Sequence, residues 1–263
     1  MTRPLRLAVN GATGRMGRVL LDLLREDARF ELVAALTAPG SSQLGERAWH
    51  DSATPHLGAD WPQEPLDVVI DFSGPAGLAS ALDYCTGHGV ALVSGTTGVD
   101  ASLEARAAEA ASRIPLMHAS NFSLGVALLT QLLRQAAAAL PDWDLEIVEA
   151  HHSRKVDAPS GTALSLGQAA ASARGTTLAR DGVGGAREGA RRSGSIGFAV
   201  VRGGDIVGEH AALLIGAGER VELGHRATDR SIFARGAIEA AHWLRDQPPG
   251  AYDLQSMLAS RVA

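Results

Sequence analysis

In the first half of the chain, short apolar runs alternate with stretches whose apolar residues recur at helical spacing. The runs are rich in Val, Leu and Ile and lie at Leu5–Asn10, Phe30–Leu36, 67–72, 90–93 and 115–118. The stretch after the first run has apolar residues at Met16, Val19, Leu20, Leu23 and Leu24, a spacing typical of an amphipathic helix. Strands that alternate with helices predict an α/β domain of the Rossmann type, with a parallel sheet.

The second half follows a different pattern, which begins with a long apolar helix at 124–140. We predict a strand at 144–150, a helix at 162–174, antiparallel strands at 196–201, 206–215 and 220–225, and a helix at 232–244. Residues 38–65 and 175–195 are expected to be loops, the second of them mobile, and the tail from Gln247 to be rich in turns. The sequence therefore predicts an α/β domain at 1–122, completed by 231–263, and an α+β domain with an open, mixed or antiparallel sheet at 123–230.

A glycine-rich turn, Gly11-Ala12-Thr13-Gly14-Arg15-Met16-Gly17, joins the first predicted strand to the first helix. Glycines at such a turn let the backbone approach a pyrophosphate, and the helix N-terminus offers free N–H groups and the positive end of its dipole. The turn therefore favours a dinucleotide site over a glycine turn without a ligand.

Small polar loops also follow the strands at 90–93 and 115–118, where the sequence continues as Ser94-Gly95-Thr96-Thr97-Gly98 and Ala119-Ser120-Asn121-Phe122-Ser123. The carboxyl ends of parallel strands line the ligand crevice of such sheets, so these loops are expected to converge on the dinucleotide. The second strand ends at Leu36 and Thr37 without an acidic residue for the adenosine ribose and without an arginine for a 2′-phosphate. The coenzyme is therefore expected to be NADH or NADPH, with the choice open.

The most unusual stretch runs from His151 to Ala163, with the sequence His-His-Ser-Arg-Lys-Val-Asp-Ala-Pro-Ser-Gly-Thr-Ala. Lys155 is the only lysine of the chain, and all other strongly basic side chains are arginine. Arginine keeps its proton at any working pH, whereas a lysine in a cleft can release one. Ser160 is expected to cap the following helix. Paired histidines, a lone lysine and a capped turn are each ordinary features, but together they indicate a site that binds an anion and delivers a proton.

Composition limits the classes of protein that remain. The chain has 263 residues, of which 46% are hydrophobic and 20% charged, so a sizeable core is expected. A net charge of −5 argues against a general affinity for nucleic acid. Cys85 is the only cysteine, which excludes an internal disulfide. Without an apolar run of membrane-spanning length, a signal-peptide pattern or a metal-ligand cluster, we expect a cytoplasmic protein with no membrane partner and no metal.

These motifs resemble those of the 4-hydroxy-tetrahydrodipicolinate reductase family, also known as dihydrodipicolinate reductases. The resemblance covers nearly the whole chain. Besides the glycine turn, it rests on Asp71-Phe72-Ser73-x-Pro75, Gly95 to Gly98, Asn121 to Gly125, Glu149 to Ala163, Ile196-Gly197-Phe198 and Gly204 to His210. The stretch from His151 to Thr162 is highly specific, because few unrelated proteins would carry it by chance.

The resemblance implies reduction of 4-hydroxy-tetrahydrodipicolinate with NADH or NADPH, in the biosynthesis of lysine and diaminopimelate. It implies His151 as the general acid/base and Lys155 as a proton donor. The cofactor contacts that it implies are Gly11, Ala12, Thr13, Gly14, Arg15, Met16, Thr37, Gly95, Thr96, Thr97, Ala119, Ser120, Asn121 and Phe122. The contacts that it implies for the small cyclic dicarboxylate substrate are His152, Lys155, Ser160, Gly161 and Thr162.

The family is usually tetrameric, so a homotetramer is expected, with 123–230 as the substrate-binding and oligomerisation domain and the site in a cleft between the domains. One departure is that many members have an acidic residue followed by a basic one where this chain has Thr37-Ala38. Two alternatives remain open. One is another two-domain NAD(P)H-dependent reductase of imines or semialdehydes, and the other is a nucleotide sensor without catalytic activity, which would tolerate loss of His151 and Lys155.

Overall fold

The computed structural model describes residues 3–49, 54–178, 182–183, 191 and 194–261. The chain forms two compact units, of which unit one comprises residues 1–123 and 231–263 and unit two residues 124–230. Within the described residues, no helix combines the length and the apolar character needed to cross a lipid bilayer.

Unit one is built on a parallel sheet. Its strands are β1 (Leu5–Asn10), β2 (Phe30–Leu36), β3 (Leu57–Gly58), β4 (Val68–Asp71), β5 (Ala91–Ser94), β6 (Pro115–His118) and β12 (Gly250–Tyr252). They form a seven-stranded sheet in the order β12-β6-β5-β4-β1-β2-β3, and all pairings are parallel. The predicted Rossmann-type sheet is confirmed. Because the chain proceeds from β1 toward one edge and resumes at β4 on the other side, the carboxyl ends of β1 and β4 form the topological switch point.

Helices cover both faces of this sheet, as a parallel sheet requires. They are α1 (Arg15–Leu24), α2 (Pro75–His88), α3 (Ala101–Ala111), α6 (Ser231–Leu244) and the short α7 (Leu254–Ala259). Helices α1 and α6 pack together on one face, and α2 and α3 on the other. Strands β4 and β5 are buried along their whole length, so their apolar residues form the centre of the core.

Two short strands of unit one differ from the sequence prediction. The expected loop at 38–65 contains β3, which pairs with β2, and the expected turn-rich tail contains β12 and α7. Both strands have at most three residues, so they carry too few positions for an alternation pattern to show. The C-terminal segment thus contributes an edge strand as well as the predicted helix.

Unit two contains helices α4 (Leu124–Ala139) and α5 (Gly161–Ala173) and a second sheet. Its strands are β7 (Asp144–His151), β8 (Gly182–Val183), β9 (Ile196–Arg202), β10 (Gly208–Ile215) and β11 (Arg220–Ala227). The order is β11-β10-β7-β9-β8. Helices α4 and α5 pack on one face, against buried residues that include Leu145, Ile147, Ile196 and Leu214.

The sheet of unit two is mixed. Strand β10 pairs antiparallel with both β7 and β11, but β9 pairs parallel with β7 and with β8. The prediction that the strand at 196–201 is antiparallel was therefore wrong, because an apolar run does not encode the direction of its partner. Most of the predicted mobile loop at 175–195 lies outside the described residues.

Helix α6 packs so closely on the end of the Phe122 loop, within unit one, that it needs a glycine. A Cβ on Gly236 would overlap the carbonyl oxygen of Phe122, whereas Gly87 near the end of α2 has open space around it. Alanine gains about 1 kcal/mol over glycine in a helix interior, but forced overpacking costs about 1–3 kcal/mol. We therefore expect Gly236→Ala to lower the free energy of unfolding, measured by urea denaturation, and Gly87→Ala to leave it equal or raise it. Equal effects of the two changes would contradict this packing.

Candidate active site

The turn between β1 and α1 has the geometry of an anion site. Gly11 has a φ of +85°, and a Cβ there would lie 2.5 Å from the carbonyl oxygen of Phe72. A Cβ on Gly17 would overlap the carbonyl oxygen of Gly11, so only glycine lets the helix pack on the turn. Helix α1 begins after Gly14, and within the described chain neither a capping side chain nor an acidic residue occupies its first turn. Its first N–H groups thus remain available to a phosphate.

A cavity of about 620 Å³ in unit one opens beside this turn. Its lining includes Gly11, Thr13, Thr37, Trp61 and Ser73. Thr37, which is 7% exposed, shares a hydrogen bond of 2.7 Å between its Oγ1 and that of Thr13. Among the described residues that line the cavity, none has a charged side chain. The described lining is therefore neutral, and it offers neither of the charges that usually select between NADH and NADPH.

A buried carboxylate, that of Asp71 at the end of β4, joins the loops around the switch point. It accepts hydrogen bonds from Asn10 Nδ2 at 2.8 Å, Ser94 Oγ at 2.7 Å and Thr96 Oγ1 at 2.7 Å, and another from Ser73 Oγ. These donors stand at the ends of β1, β4 and β5. Asp71 thus fixes the glycine turn relative to the Gly95 loop, a role that the sequence did not indicate.

The two other predicted cofactor loops lie at the same edge of the sheet. A Cβ on Gly95 would overlap the ring of Phe72, and that ring packs edge-on against Phe122, with the centroids 5.7 Å apart. The next strand contributes His118, whose Nε2 lies 2.8 Å from the carbonyl oxygen of Thr96. Phe122 is almost fully buried, whereas Thr97 is exposed. All the predicted cofactor residues therefore follow β1, β2, β5 or β6 at their carboxyl ends.

In unit two, the end of β7 carries a second buried carboxylate. Glu149 is 1% exposed, and its Oε2 lies 2.6 Å from Nδ1 of His151, which follows it on the same strand. The guanidinium of Arg202 binds both carboxylate oxygens at 2.8 Å, and the backbone N–H of Ser160 donates to Oε1 at 3.0 Å. Burial alone would raise the pKa of Glu149, but these hydrogen bonds together hold that pKa below its ordinary value.

The start of α5 is fixed by the same network. Ser160 caps the helix as predicted, because its Oγ accepts from the N–H of Ala163 at 3.2 Å. The same Oγ lies 3.0 Å from Nε2 of His210, a residue of β10. With its side chain and N–H both engaged, the buried Ser160 acts by holding the helix start, while Gly161 is exposed there.

Lys155 and His152 lie in the loop between β7 and α5. Nζ of Lys155 donates to Oδ1 of Asp157 at 2.7 Å, and this hydrogen bond lowers the pKa of Asp157. Burial, together with the charges of Arg154 and Arg230, lowers the pKa of His152 and favours its neutral form. The six residues predicted for catalysis and substrate binding thus lie on one continuous segment.

The sequence did not indicate that Glu149, Arg202 and His210 hydrogen-bond to the segment from His151 to Ser160 and hold it in place. Arg202 lies 53 positions from Glu149, and His210 lies 50 positions from Ser160. The residue pattern placed Glu149 only within a predicted strand at 144–150. Pairing between strands, which a single sequence does not reveal, brings these groups together.

His210 makes the stability of unit two depend on pH. Burial, aided by the nearby His151, lowers the pKa of His210 from 6.5 to about 4. Below pH 6.5 the unfolded chain gains a proton here that the folded chain takes up only near pH 4, so stability is lost between those values. The loss amounts to about 3 kcal/mol at most, at about 1.4 kcal/mol per pKa unit. Urea unfolding between pH 7 and 4.5 should show a smaller loss in His210→Gln, which keeps a hydrogen-bonding group; equal losses would contradict the assignment.

Family models and relatives cover the chain almost completely. The model described as dihydrodipicolinate reductase, N-terminus, matches residues 5–122, and that described as dihydrodipicolinate reductase, C-terminus, matches residues 125–258. A 4-hydroxy-tetrahydrodipicolinate reductase of Thiobacillus denitrificans is 47% identical, with 96% of this chain and 98% of that protein covered. A protein of the same name from Xanthomonas campestris pv. campestris is 47% identical, with 98% and 99% covered.

Among solved structures, a dipicolinate-bound dihydrodipicolinate reductase from Paenisporosarcina sp. TG-14 has a TM-score of 0.77 at 24% identity, with 95% of this chain and 97% of that chain covered. That likeness shows the fold, and the family models and the sequence identities show the family. The resemblance stated from the motifs is confirmed: the chain belongs to the 4-hydroxy-tetrahydrodipicolinate reductase family.

Proposed function

We propose that the protein reduces 4-hydroxy-tetrahydrodipicolinate, by way of dihydrodipicolinate, to tetrahydrodipicolinate with NADH or NADPH. Membership of the family gives it a reductase role in lysine biosynthesis. The observation that carries the proposal is the segment from His151 to Thr162, where protonatable side chains stand beside the exposed start of α5. A nucleotide sensor would need no such segment.

The coenzyme half of the proposal rests on unit one. The pyrophosphate would lie on the N-terminus of α1, where Gly11 and Gly14 leave the backbone open, and the adenosine in the neutral cavity beside Thr37. Gly95 to Thr97 and Ala119 to Phe122 would surround the nicotinamide. The bound coenzyme supplies the hydride. The loops tied to Asp71 would keep the reactive ring in one orientation, which the transfer of hydride to a particular carbon requires.

The substrate half rests on unit two. A cyclic dicarboxylate needs cations and N–H donors, and Lys155, His152 and the backbone N–H groups of Gly161 and Thr162 can supply them. The structurally similar protein from Paenisporosarcina was solved with dipicolinate, a ring with two carboxylates. Lys155 can exchange its partner Asp157 for a substrate carboxylate, because both are oxygen acceptors of one negative charge.

The proton half of the reaction belongs to His151 and Lys155. When hydride reaches an unsaturated ring carbon, negative charge develops on the conjugated system and must be protonated. His151 has its Nδ1 beside Glu149, so Nε2 is the nitrogen left to exchange a proton with the substrate. General acid catalysis by a positioned group typically contributes about 10²–10⁴ in rate.

We further propose that the protein forms a homotetramer through the open face of the second sheet. The two helices of unit two cover the face with Leu145 and Ile147. The opposite face carries Val148 and Ala150 of β7 beside Val201 of β9, which is 49% exposed. Apolar side chains on such a face are stabilised when a second sheet covers them.

The central test follows NAD(P)H absorbance with freshly generated 4-hydroxy-tetrahydrodipicolinate, for the wild type and for Lys155→Arg. We expect turnover by the wild type and a loss of about 10²-fold or more in kcat for the variant, because arginine keeps the charge but cannot release a proton. Arg154→Lys, a matched change at the exposed preceding residue, should keep nearly full activity. A Lys155→Arg enzyme as active as the wild type would show that Lys155 is no proton donor.

The lack of charged side chains among the described cavity residues leads to a prediction about the choice of coenzyme. With neither an acidic nor a basic side chain at Thr37 or Ala38, the wild type should use NADH and NADPH with kcat/KM values within about tenfold of each other. Ala38→Arg should raise the NADPH/NADH ratio of kcat/KM by about tenfold through a charge-assisted contact with the 2′-phosphate. Ser42→Arg, which adds the same charge outside the cavity, is the control; an equal shift in both variants would show a general charge effect.

A further inference from the structure

We propose that Glu149 and Arg202 act as a positioning pair that holds His151 in a single tautomer and anchors the loop of Lys155. This inference deepens the proposed function and rests on it for the roles of His151 and Lys155. Neither residue of the pair is proposed to touch the substrate. Their effect on the reaction would pass through the two groups that handle the proton.

The carboxylate of Glu149 is buried, and both of its oxygens accept hydrogen bonds. The side chain of Glu149 is inaccessible to solvent, and those of Arg202 and His151 are 19% and 12% exposed. The four hydrogen bonds to the carboxylate come from one imidazole, one backbone N–H and two nitrogens of one guanidinium. A paired and saturated carboxylate of this kind has little freedom to rotate, so its acceptor direction toward His151 is fixed.

An ionised carboxylate only accepts hydrogen bonds, and therefore the nitrogen that faces it must carry a proton. His151 faces Glu149 with Nδ1, at 2.6 Å. In the neutral imidazole the other nitrogen, Nε2, is then the acceptor, and in the protonated imidazole it is the donor. A Cβ on Gly208 would lie 3.1 Å from this Nε2, so the glycine keeps the space beside the reactive nitrogen open.

Arg202 also reaches the second proton-handling group. One of its nitrogens donates to the carbonyl oxygen of Asp157 at 2.6 Å, and Asp157 accepts the hydrogen bond from Lys155. The guanidinium thus connects the end of β9, the carboxylate on β7 and the loop that carries the lysine. Arginine is suited to this task because its planar fork binds two partners in fixed directions, which a lysine in its place would not do.

The other titratable and charged groups around His151 come from three elements. His210 on β10 lies edge-on, with its ring centroid 5.2 Å from that of His151. His152, Lys155 and Asp157 belong to the loop after β7, and Arg202 to the end of β9. Among these described groups and Glu149, the Glu149 carboxylate is the one that lies within hydrogen-bonding distance of the His151 ring.

The substitution Glu149→Gln tests whether Glu149 fixes the tautomer of His151 or only fills space in the core. The amide is nearly isosteric with the carboxylate but places an NH2 group on one side. Oε1 faces two fixed donors, Arg202 Nη2 and the N–H of Ser160, whereas Oε2 faces one fixed donor, Arg202 Nη1, and the His151 ring, which can change its tautomer. The amide oxygen should therefore turn toward Ser160 and the NH2 toward His151. Nδ1 of His151 must then accept, and the proton moves to Nε2. This reverses the tautomer while the volume of the core stays the same.

The experiment combines kinetics with NMR of protein labelled with ¹⁵N-histidine, in which His151 is assigned by comparison with His151→Gln. In the wild type at high pH we expect Nδ1 of His151 to be protonated, and in Glu149→Gln we expect Nε2 to be protonated. The variant should lose about 10²-fold or more in kcat, with KM changed by less than about threefold and the pH optimum displaced. Arg202→Lys, which keeps the charge but loses the fork, should lose less kcat and keep the wild-type tautomer.

Glu239→Gln is the matched control. Glu239 in α6 also has arginine partners, Arg29 at 2.8 Å and Arg261 at 2.9 Å, but it belongs to unit one and to no proposed site. Its variant should keep the kcat, the pH profile and the His151 tautomer of the wild type. A wild-type His151 protonated at Nε2, or a Glu149→Gln enzyme that keeps its kcat within about threefold, would overturn the inference. A wild type that does not turn over would refute the proposed function instead, while the tautomer measurement would still decide about Glu149.

Discussion

The site of this protein depends on one constraint, which is that a carboxylate buried at the end of a strand must be surrounded by hydrogen-bond donors. Among the described residues, each unit contains one such group. In unit one, Asp71 gathers hydroxyl and amide donors from the ends of β1, β4 and β5. In unit two, Glu149 gathers an imidazole, a guanidinium and a backbone N–H. Removing any of these donors would leave charge unsatisfied in the core, so the loops that carry the proposed chemistry are held by the same forces that stabilise the fold.

The two carboxylates are satisfied by different kinds of donors. Asp71 accepts from uncharged hydroxyl and amide groups, so its negative charge is stabilised by hydrogen bonds alone. Glu149 is matched by the full positive charge of Arg202, in a unit that is proposed to bind a dianion. Glu149 therefore does not need Lys155 or Arg154 to neutralise its charge. Lys155 instead pairs with the more exposed Asp157.

The sequence predicted most of the fold, because alternating strands and helices of unit one leave strong periodic patterns. It did not predict the parallel direction of β9 or the short strand β12, since direction and two- or three-residue pairings leave no pattern. The residues that follow strand ends were found as candidates, because glycine and small polar residues there have a direct physical reason. The sequence did not identify the residues that hold these loops in place. Asn10 and Asp71 are 61 positions apart, and Arg202 and Glu149 are 53 apart, so no local pattern connects them. Their meeting is a property of strand order, which the chain reveals only when it is folded.

The path of the chain through unit one has a consequence for biogenesis. Residues 1–123 leave the ribosome first, but the helix α6 and the edge strand β12 that complete their sheet are made last, after all of residues 124–230. Until then, one flank of β6 lacks its neighbour, and the sheet face that α6 covers is exposed. Unit two, in contrast, is continuous in sequence and can assemble before synthesis ends. During synthesis the protein therefore passes through a stage in which unit one is incomplete while unit two can already be folded.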